Sequence, residues 1–165
     1  MRDCNQIDAA ELMAQAQSAT GLTDFGPDHF VEPLRHLIGS MNGEASLNAA
    51  GAEMQAGRIR NALENRLRRQ ALMKAHPEIA DQKVQVAAVV VGMPRTGSTM
   101  LQRLLAASAK VTAPIWWETI FPLPRSAPDA AELAARKADA EALVEQLVAA
   151  SAGFEAIHPM NAHAH

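Results

Sequence analysis

The residues best suited to chemistry lie in one short stretch, residues 92–99, which reads Gly-Met-Pro-Arg-Thr-Gly-Ser-Thr. Its two glycines, Gly92 and Gly97, allow the backbone to pass close to a ligand without a Cβ clash. The serine and threonine that follow offer hydroxyl donors, and Arg95 offers a forked guanidinium that matches phosphate or sulfate oxygens. This combination predicts a binding site for an oxyanion of that type.

A predicted strand and a predicted helix flank the stretch. Residues 84–91 read Val-Gln-Val-Ala-Ala-Val-Val-Val, a short apolar run typical of a strand covered on both faces in a parallel sheet. Residues 97–108 predict a helix whose leucines and Met100 share an inner face. The first N–H groups of a helix have no acceptor within it, and the helix dipole adds partial positive charge. A strand–turn–helix of this kind is predicted to hold the anion at the turn.

The glycine spacing matches the phosphate loop of nucleoside triphosphatases, with one departure. Gly92-x4-Gly97 has the right spacing, but Ser98 stands where that motif has lysine. Because that lysine contacts the β- and γ-phosphates, magnesium-dependent triphosphate chemistry is disfavoured. A P-loop nucleotide-binding protein or kinase-like phosphotransferase is the alternative interpretation.

The first half of the chain is predicted to be helical. Asp8 can cap a first helix that Gly21 ends. A second helix is predicted from Asp28, with either a local distortion or a later start, because Pro33 removes a backbone donor. A third helix is predicted from about residue 44 to 75, with a break near Gly51 or Gly57.

Six basic residues crowd the second half of the third helix. We interpret them as a solvated helix face, the alternative being a surface that attracts an anionic ligand. They are Arg58, Arg60, Arg66, Arg68, Arg69 and Lys74.

The second half of the chain predicts an α/β arrangement. Residues 111–117 could form a second strand, although Pro114 favours an edge or an interruption. A helix is predicted over residues 130–150. We therefore expect a helical N-terminal region over residues 1–80 and, over residues 81–165, the start of a P-loop-type three-layer domain with a parallel sheet.

The composition excludes several classes of protein. The net charge of −3 over 165 residues disfavours a nucleic-acid binder. The single cysteine, Cys4, fits a reducing compartment. The N-terminus has no apolar run typical of a signal peptide, and no apolar run is long enough to span a bilayer. We expect a cytoplasmic protein.

Residues 90–106 closely resemble the 5′-phosphosulfate loop of bacterial sulfotransferases. Other stretches resemble further family segments: residues 20–26, 76–79, 117–118, 122–124 and 154–160. The resemblance covers nearly the whole chain.

The resemblance implies an enzyme that moves a sulfuryl group from 3′-phosphoadenosine 5′-phosphosulfate to a hydroxyl or amine, without a metal. The acceptor would be a small molecule, a glycan or a lipid. A base must take the acceptor's proton, and the candidates are Glu118 and His158. Loop residues would grip the donor's 5′-phosphate and sulfonate: Arg95, Thr96, Gly97, Ser98 and Thr99. We interpret the tail with His163 and His165 as a frayed terminus rather than a metal site.

The chain departs from the family by its length. Family members continue through further strands and through the serine and arginine that hold the donor's 3′-phosphate. We therefore expect a truncated chain, weakly active or inactive, whose incomplete sheet promotes self-association. A non-catalytic helical interaction module built on residues 1–80 is the third interpretation.

Overall fold

The computed structural model of the protein describes residues 6–93, 96–150, 153 and 161–163. The chain divides into two compact units, Met1–Asp81 and Gln82–His165. The described residues form α-helices joined by loops and two 3₁₀ turns, at Asp28–Phe30 and Pro77–Asp81. The helices are α1 Ala9–Thr20, α2 Val31–Glu44, α3 Ala49–Ala75, α4 Ser98–Ala106, α5 Trp116–Ile120 and α6 Ala130–Ala150.

Helix α1 is fixed at both ends by local chemistry. The Asp8 carboxylate accepts the N–H of Glu11 at 2.9 Å, which satisfies one donor of the first turn. Gly21 adopts the left-handed conformation with φ 68° and donates its N–H to the carbonyl of Gln17 at 2.8 Å. The prediction of a helix that Asp8 caps and Gly21 ends is confirmed.

Helices α2 and α3 bear on two predictions. Helix α2 begins at Val31, after a 3₁₀ turn at Asp28–Phe30, so the predicted later start is the alternative that the structure has. Pro33 then lies in the first turn, where a proline has no intrahelical hydrogen bond to lose. Helix α3 runs unbroken through Gly51 and Gly57, so the predicted break is wrong. It begins later than predicted, because the Asn48 side chain caps it by accepting the N–H of Gly51 at 2.8 Å.

The core of the first unit lies between α1, α2 and α3. Asn42 of α2 holds the start of the unit by accepting the N–H of Ile7 at 3.0 Å and donating to its carbonyl at 2.8 Å. Leu67 and Ala16 have no exposed surface. The buried cluster is Ile7, Leu12, Ala16, Phe25, Leu34, Ile38, Ile59, Leu63 and Leu67.

Several basic residues of α3 have partners within the unit. Arg66 donates to two loop carbonyls, and Arg68 pairs with Glu64 at 3.0 Å. Lys74 lies 2.5 Å from Asp24, and its ammonium holds the pKa of that carboxyl below its ordinary value. Some of the basic residues of α3 therefore bind groups of the same unit, which neither interpretation of the sequence predicted.

The predicted sheet is not confirmed, because the described residues contain no β-strand. The valines at 84, 86, 89 and 91 are 69–88% exposed. A strand is held by hydrogen bonds to a neighbouring strand, and the described part of the chain supplies none to residues 84–91. The predicted strand over residues 111–117 is wrong, since Trp116 and Trp117 open helix α5 instead.

The other helices of the second unit lie where the sequence predicted them. Helix α4 falls inside the predicted range, but the expected inner face is exposed, with Met100 69% and Leu104 62% accessible. Helix α6 has the predicted bounds, and Asp129 caps it by accepting the N–H of Glu132 at 2.8 Å. Trp117 of α5 packs with Ala140 of α6 and with Ala162 in a small buried cluster.

Candidate phosphate-binding site

A threonine side chain just before α4 binds the backbone three residues earlier. Thr96 Oγ1 donates a hydrogen bond to the carbonyl of Met93 at 2.7 Å. A Cβ at Gly92 would lie 2.9 Å from the same Thr96 oxygen, so a larger residue there would push the threonine aside. The position of the Thr96 side chain therefore requires a residue without a side chain at position 92.

The start of α4 leaves backbone donors without a side-chain cap. Gly97 occupies the N-cap position with φ 85° and ψ 13°, a conformation that favours glycine, and no side chain of the described residues caps the helix. The first intrahelical bond runs from Leu101 N–H to the Gly97 carbonyl at 3.0 Å. The amides of the first turn and the helix dipole therefore favour an anion.

The predicted loop residues are accessible where the structure describes them. Thr96, Gly97 and Thr99 are exposed, and Ser98 is half-buried. Arg95, the only cation of the loop, and His158, a candidate base, lie outside the described residues. Their roles stay predictions.

Glu118 lies in the first turn of α5, and its side chain is exposed. Its Oε2 accepts the N–H of Ile115 at 3.1 Å, so the carboxylate helps to start the helix. Among the described residues, Glu118 makes no hydrogen bond to the stretch 96–99. The structure gives Glu118 a structural role and leaves its catalytic role a prediction.

A buried ion pair that the sequence did not single out supports α5. Arg136 Nε lies 2.9 Å from Glu132 Oε2, with both side chains largely buried. Arg136 also donates to the carbonyl of Phe121, the C-cap of α5, at 2.9 Å. Its guanidinium carbon lies 5.4 Å from the centroid of the Trp117 ring, within cation–π range. The i, i+4 spacing of Glu132 and Arg136 was the available sequence signal.

The described residues also bear on the predictions about the histidine tail, a metal site and a membrane span. His163 Nε2 lies 2.6 Å from Glu141 Oε1, so this histidine has a partner on α6. The described residues hold no cluster of three histidine, cysteine, aspartate or glutamate side chains suited to a metal ion. Among these residues, no helix combines the length and apolar character needed to cross a bilayer.

Comparison with known proteins finds that the part of the chain with this loop is similar to sulfotransferases. Residues 87–165 match the model of the Sulfotransferase family (Sulfotransfer_3). The solved structure of sulfotransferase STF1 from Mycobacterium tuberculosis H37Rv is similar, with a TM-score of 0.77 and 31% identity over 98% of this chain. Sulfotransferase STF9 from Mycobacterium avium shares the fold, with a TM-score of 0.73 and 24% identity over 94% of this chain.

This chain spans less than half of each solved relative, 45% of STF1 and 40% of STF9. No curated protein matches the sequence significantly. The family model and the STF1 similarity both include the turn before α4. The predicted resemblance of this chain to bacterial sulfotransferases is therefore confirmed.

Proposed function

We propose that the turn before α4 binds the 5′-phosphosulfate end of 3′-phosphoadenosine 5′-phosphosulfate, and that the chain takes part in sulfuryl transfer. One observation carries the proposal: the α4 N-terminus has no side-chain cap and begins at a left-handed Gly97, within the region that matches the Sulfotransferase family. An oxyanion would satisfy the amide donors that no side chain satisfies.

The described loop residues fit such a ligand. A Cβ at Gly97 would meet nothing within 4 Å, so the space beside this residue is open. The hydroxyls of Ser98 and Thr99 can donate to phosphate oxygens. Arg95 would add a bidentate cation. When bound, the donor supplies a sulfuryl group, whose transfer to an acceptor oxygen or nitrogen breaks the S–O bond to the 5′-phosphate.

Ligand-induced stabilisation tests donor binding. Adenosine 3′,5′-bisphosphate should raise the thermal midpoint of the chain, whereas ATP with magnesium should not. Stabilisation by ATP with magnesium alone would favour the kinase-like alternative. No response to either nucleotide would leave the non-catalytic helical module as the better interpretation.

A matched pair of threonine variants tests whether the loop is the binding site. Thr96 and Thr119 each donate an exposed hydroxyl to a carbonyl three residues earlier at 2.7 Å, but only Thr96 lies in the loop. Thr96→Val should weaken binding of the bisphosphate about threefold to tenfold, the effect of one hydrogen bond. Thr119→Val should leave binding unchanged, and equal effects of the two variants would refute the loop assignment.

We propose Glu118 as the base, with His158 as the second candidate. Glu118→Gln separates this role from helix capping, because the amide oxygen can still accept the N–H of Ile115. The variant should keep the stability of the parent chain while turnover falls about 100-fold or more. Normal turnover by Glu118→Gln, with a loss in His158→Gln, would assign the base to the histidine.

We expect slow turnover even from the unaltered chain, because it spans 45% of STF1. Small-molecule hydroxyls and amines are the acceptors to test first. Turnover of the donor by the purified 165-residue chain at rates ordinary for enzymes, about 1–1,000 s⁻¹, would contradict this expectation.

A further inference from the structure

Helix α5, which carries Glu118, is too short to stay formed on its own. It has five residues, and the first turn of a helix fixes about six backbone angles for a single hydrogen bond, so a helix of this length is unstable in isolation. One contact from outside is made near its start, where the Trp117 N–H donates to the carbonyl of Ala162 at 3.1 Å. The order of α5 therefore depends on groups that lie outside it.

The Glu132–Arg136 ion pair of α6 binds the backbone at both ends of the loop that follows α5. Arg136 Nη1 donates to the carbonyl of Phe121 at 2.9 Å, and Glu132 Oε1 accepts the N–H of Arg125 at 2.9 Å. Arg136 Nε donates to the other oxygen of Glu132 at 2.9 Å, so the two backbone contacts are joined through one ion pair. The chain that leaves α5 is therefore attached to α6 at residues 121 and 125.

Stability alone does not account for a buried ion pair at this place. The side chains of Arg136 and Glu132 are 11% and 6% exposed, and replacing such a pair by apolar side chains of similar volume is often neutral or stabilising. Apolar side chains cannot, however, make directed hydrogen bonds to the Phe121 carbonyl and the Arg125 N–H. The charged pair therefore supplies a geometry that an apolar pair would not.

We propose that Arg136 is a positioning residue that holds α5, and with it the Glu118 carboxylate, in the orientation that the reaction uses. The catalytic consequence rests on the proposed role of Glu118 as the base. Glu118 lies in the same turn as the carbonyl that Arg136 binds, and its Oε2 accepts the Ile115 N–H, so movement of this turn would move the carboxylate. A displacement of about 1 Å at a reacting group can lower the rate about 100-fold.

Amide hydrogen exchange measured by NMR tests the proposal without donor or acceptor. Arg136→Met should speed exchange of the Ile115 and Phe121 amides about tenfold or more, because both amides are hydrogen-bonded within the α5 turn. In the double variant Glu132→Ala with Arg136→Met no unpaired charge stays buried, so urea unfolding should show stability close to that of the parent chain while exchange stays fast. Exchange that returns to the parent rate together with stability would overturn the proposal, because Arg136 would then act on folding alone.

Lys137→Met is the matched control. The Lys137 ammonium and the Arg136 guanidinium carbon each lie 5.4 Å from the centroid of the Trp117 ring. The control therefore removes a cation at the same distance from the same ring but leaves the hydrogen bond from Arg136 to the Phe121 carbonyl in place. Exchange at α5 should stay within about twofold of the parent rate, and equal acceleration in Lys137→Met and Arg136→Met would overturn the proposal.

Turnover separates this inference from the proposed function. The double variant should lower kcat about tenfold to 100-fold and leave the affinity for adenosine 3′,5′-bisphosphate unchanged, because Arg136 lies outside the loop before α4. Fast exchange in the double variant together with normal turnover of Glu118→Gln would refute Glu118 as the base while supporting the attachment of α5. A normal kcat in the double variant, with slow turnover of Glu118→Gln, would overturn the positioning role of Arg136.

Discussion

Arg66 holds the loop between α1 and α2 against α3, and its removal should be costly. Its Nε donates to the Phe25 carbonyl at 2.8 Å and its Nη2 to the Pro27 carbonyl at 2.7 Å. Its guanidinium carbon lies 4.1 Å from the centroid of the Phe30 ring. One side chain therefore makes three contacts to a segment about forty positions earlier in the chain.

The magnitude follows from these contacts. A hydrogen bond from a charged group contributes about 1.5–3 kcal/mol net and a cation–π contact about 0.5–1 kcal/mol when exposed. Because the bond to Pro27 is exposed, solvent reduces the sum, and we expect Arg66→Ala to cost about 2–4 kcal/mol. Arg66→Lys should cost about half as much, since an ammonium cannot span both carbonyls with a planar fork.

Urea unfolding followed by far-ultraviolet circular dichroism measures this cost. Both tryptophans, Trp116 and Trp117, lie in the second unit, so their fluorescence does not monitor the loop that Arg66 holds. Arg69→Ala is the matched control: Arg69 is an exposed arginine on the same helix and should change stability by less than about 0.5 kcal/mol. Similar midpoints for Arg66→Ala and Arg69→Ala would refute the reasoning.

Three further predictions concern the start of α4 and two ion pairs. Gly97→Ala should destabilise the second unit by about 1–2 kcal/mol, because φ is 85° at this position. Gly39→Ala is the control: a Cβ at this position of α2 meets nothing within 4 Å, so the variant should stabilise the first unit by about 0.5–1 kcal/mol. Thermal unfolding measures both changes. Glu132→Ala should cost about 3–5 kcal/mol in urea unfolding by leaving Arg136 buried and unpaired, and the double variant with Arg136→Met should recover most of that loss. Asp24 has a lowered pKa in the folded chain, chiefly through the hydrogen bond from its lysine partner, so the unfolded chain binds more protons near the ordinary value of 3.8. Stability should therefore fall as the pH drops through that region, and a urea-midpoint profile of Asp24→Asn should show a smaller fall.

The helical half of the fold could be predicted because its signals are local. Asp8 and Gly21 lie within a few residues of the amides and carbonyls that they satisfy. In these cases the hydrogen-bond donor and its acceptor lie within a few residues of each other in the sequence. The same holds for the start of α4, which was predicted near Gly97 with unpaired N–H groups and has no side-chain cap in the structure. The left-handed conformation of Gly97 was not predicted.

Contacts between distant segments could not be predicted in the same way. The sequence predicts Arg66 as part of a charged helix face, because the carbonyls of Phe25 and Pro27 that it binds lie about forty positions away. The sequence predicts Trp117 at the end of a strand, but it lies in α5 and is buried, and its indole Nε1 has no hydrogen-bond partner among the described residues. Both errors arise because burial depends on which remote element packs against a residue.

The failure of the predicted strand has a different physical cause. A helix satisfies its backbone groups internally, so a favourable sequence is nearly sufficient for it to form. A strand needs the donors and acceptors of another strand. A β-branched composition indicates only that a segment would fit into a sheet. Residues 84–91 have that composition but, within the described chain, make no backbone hydrogen bond to another segment.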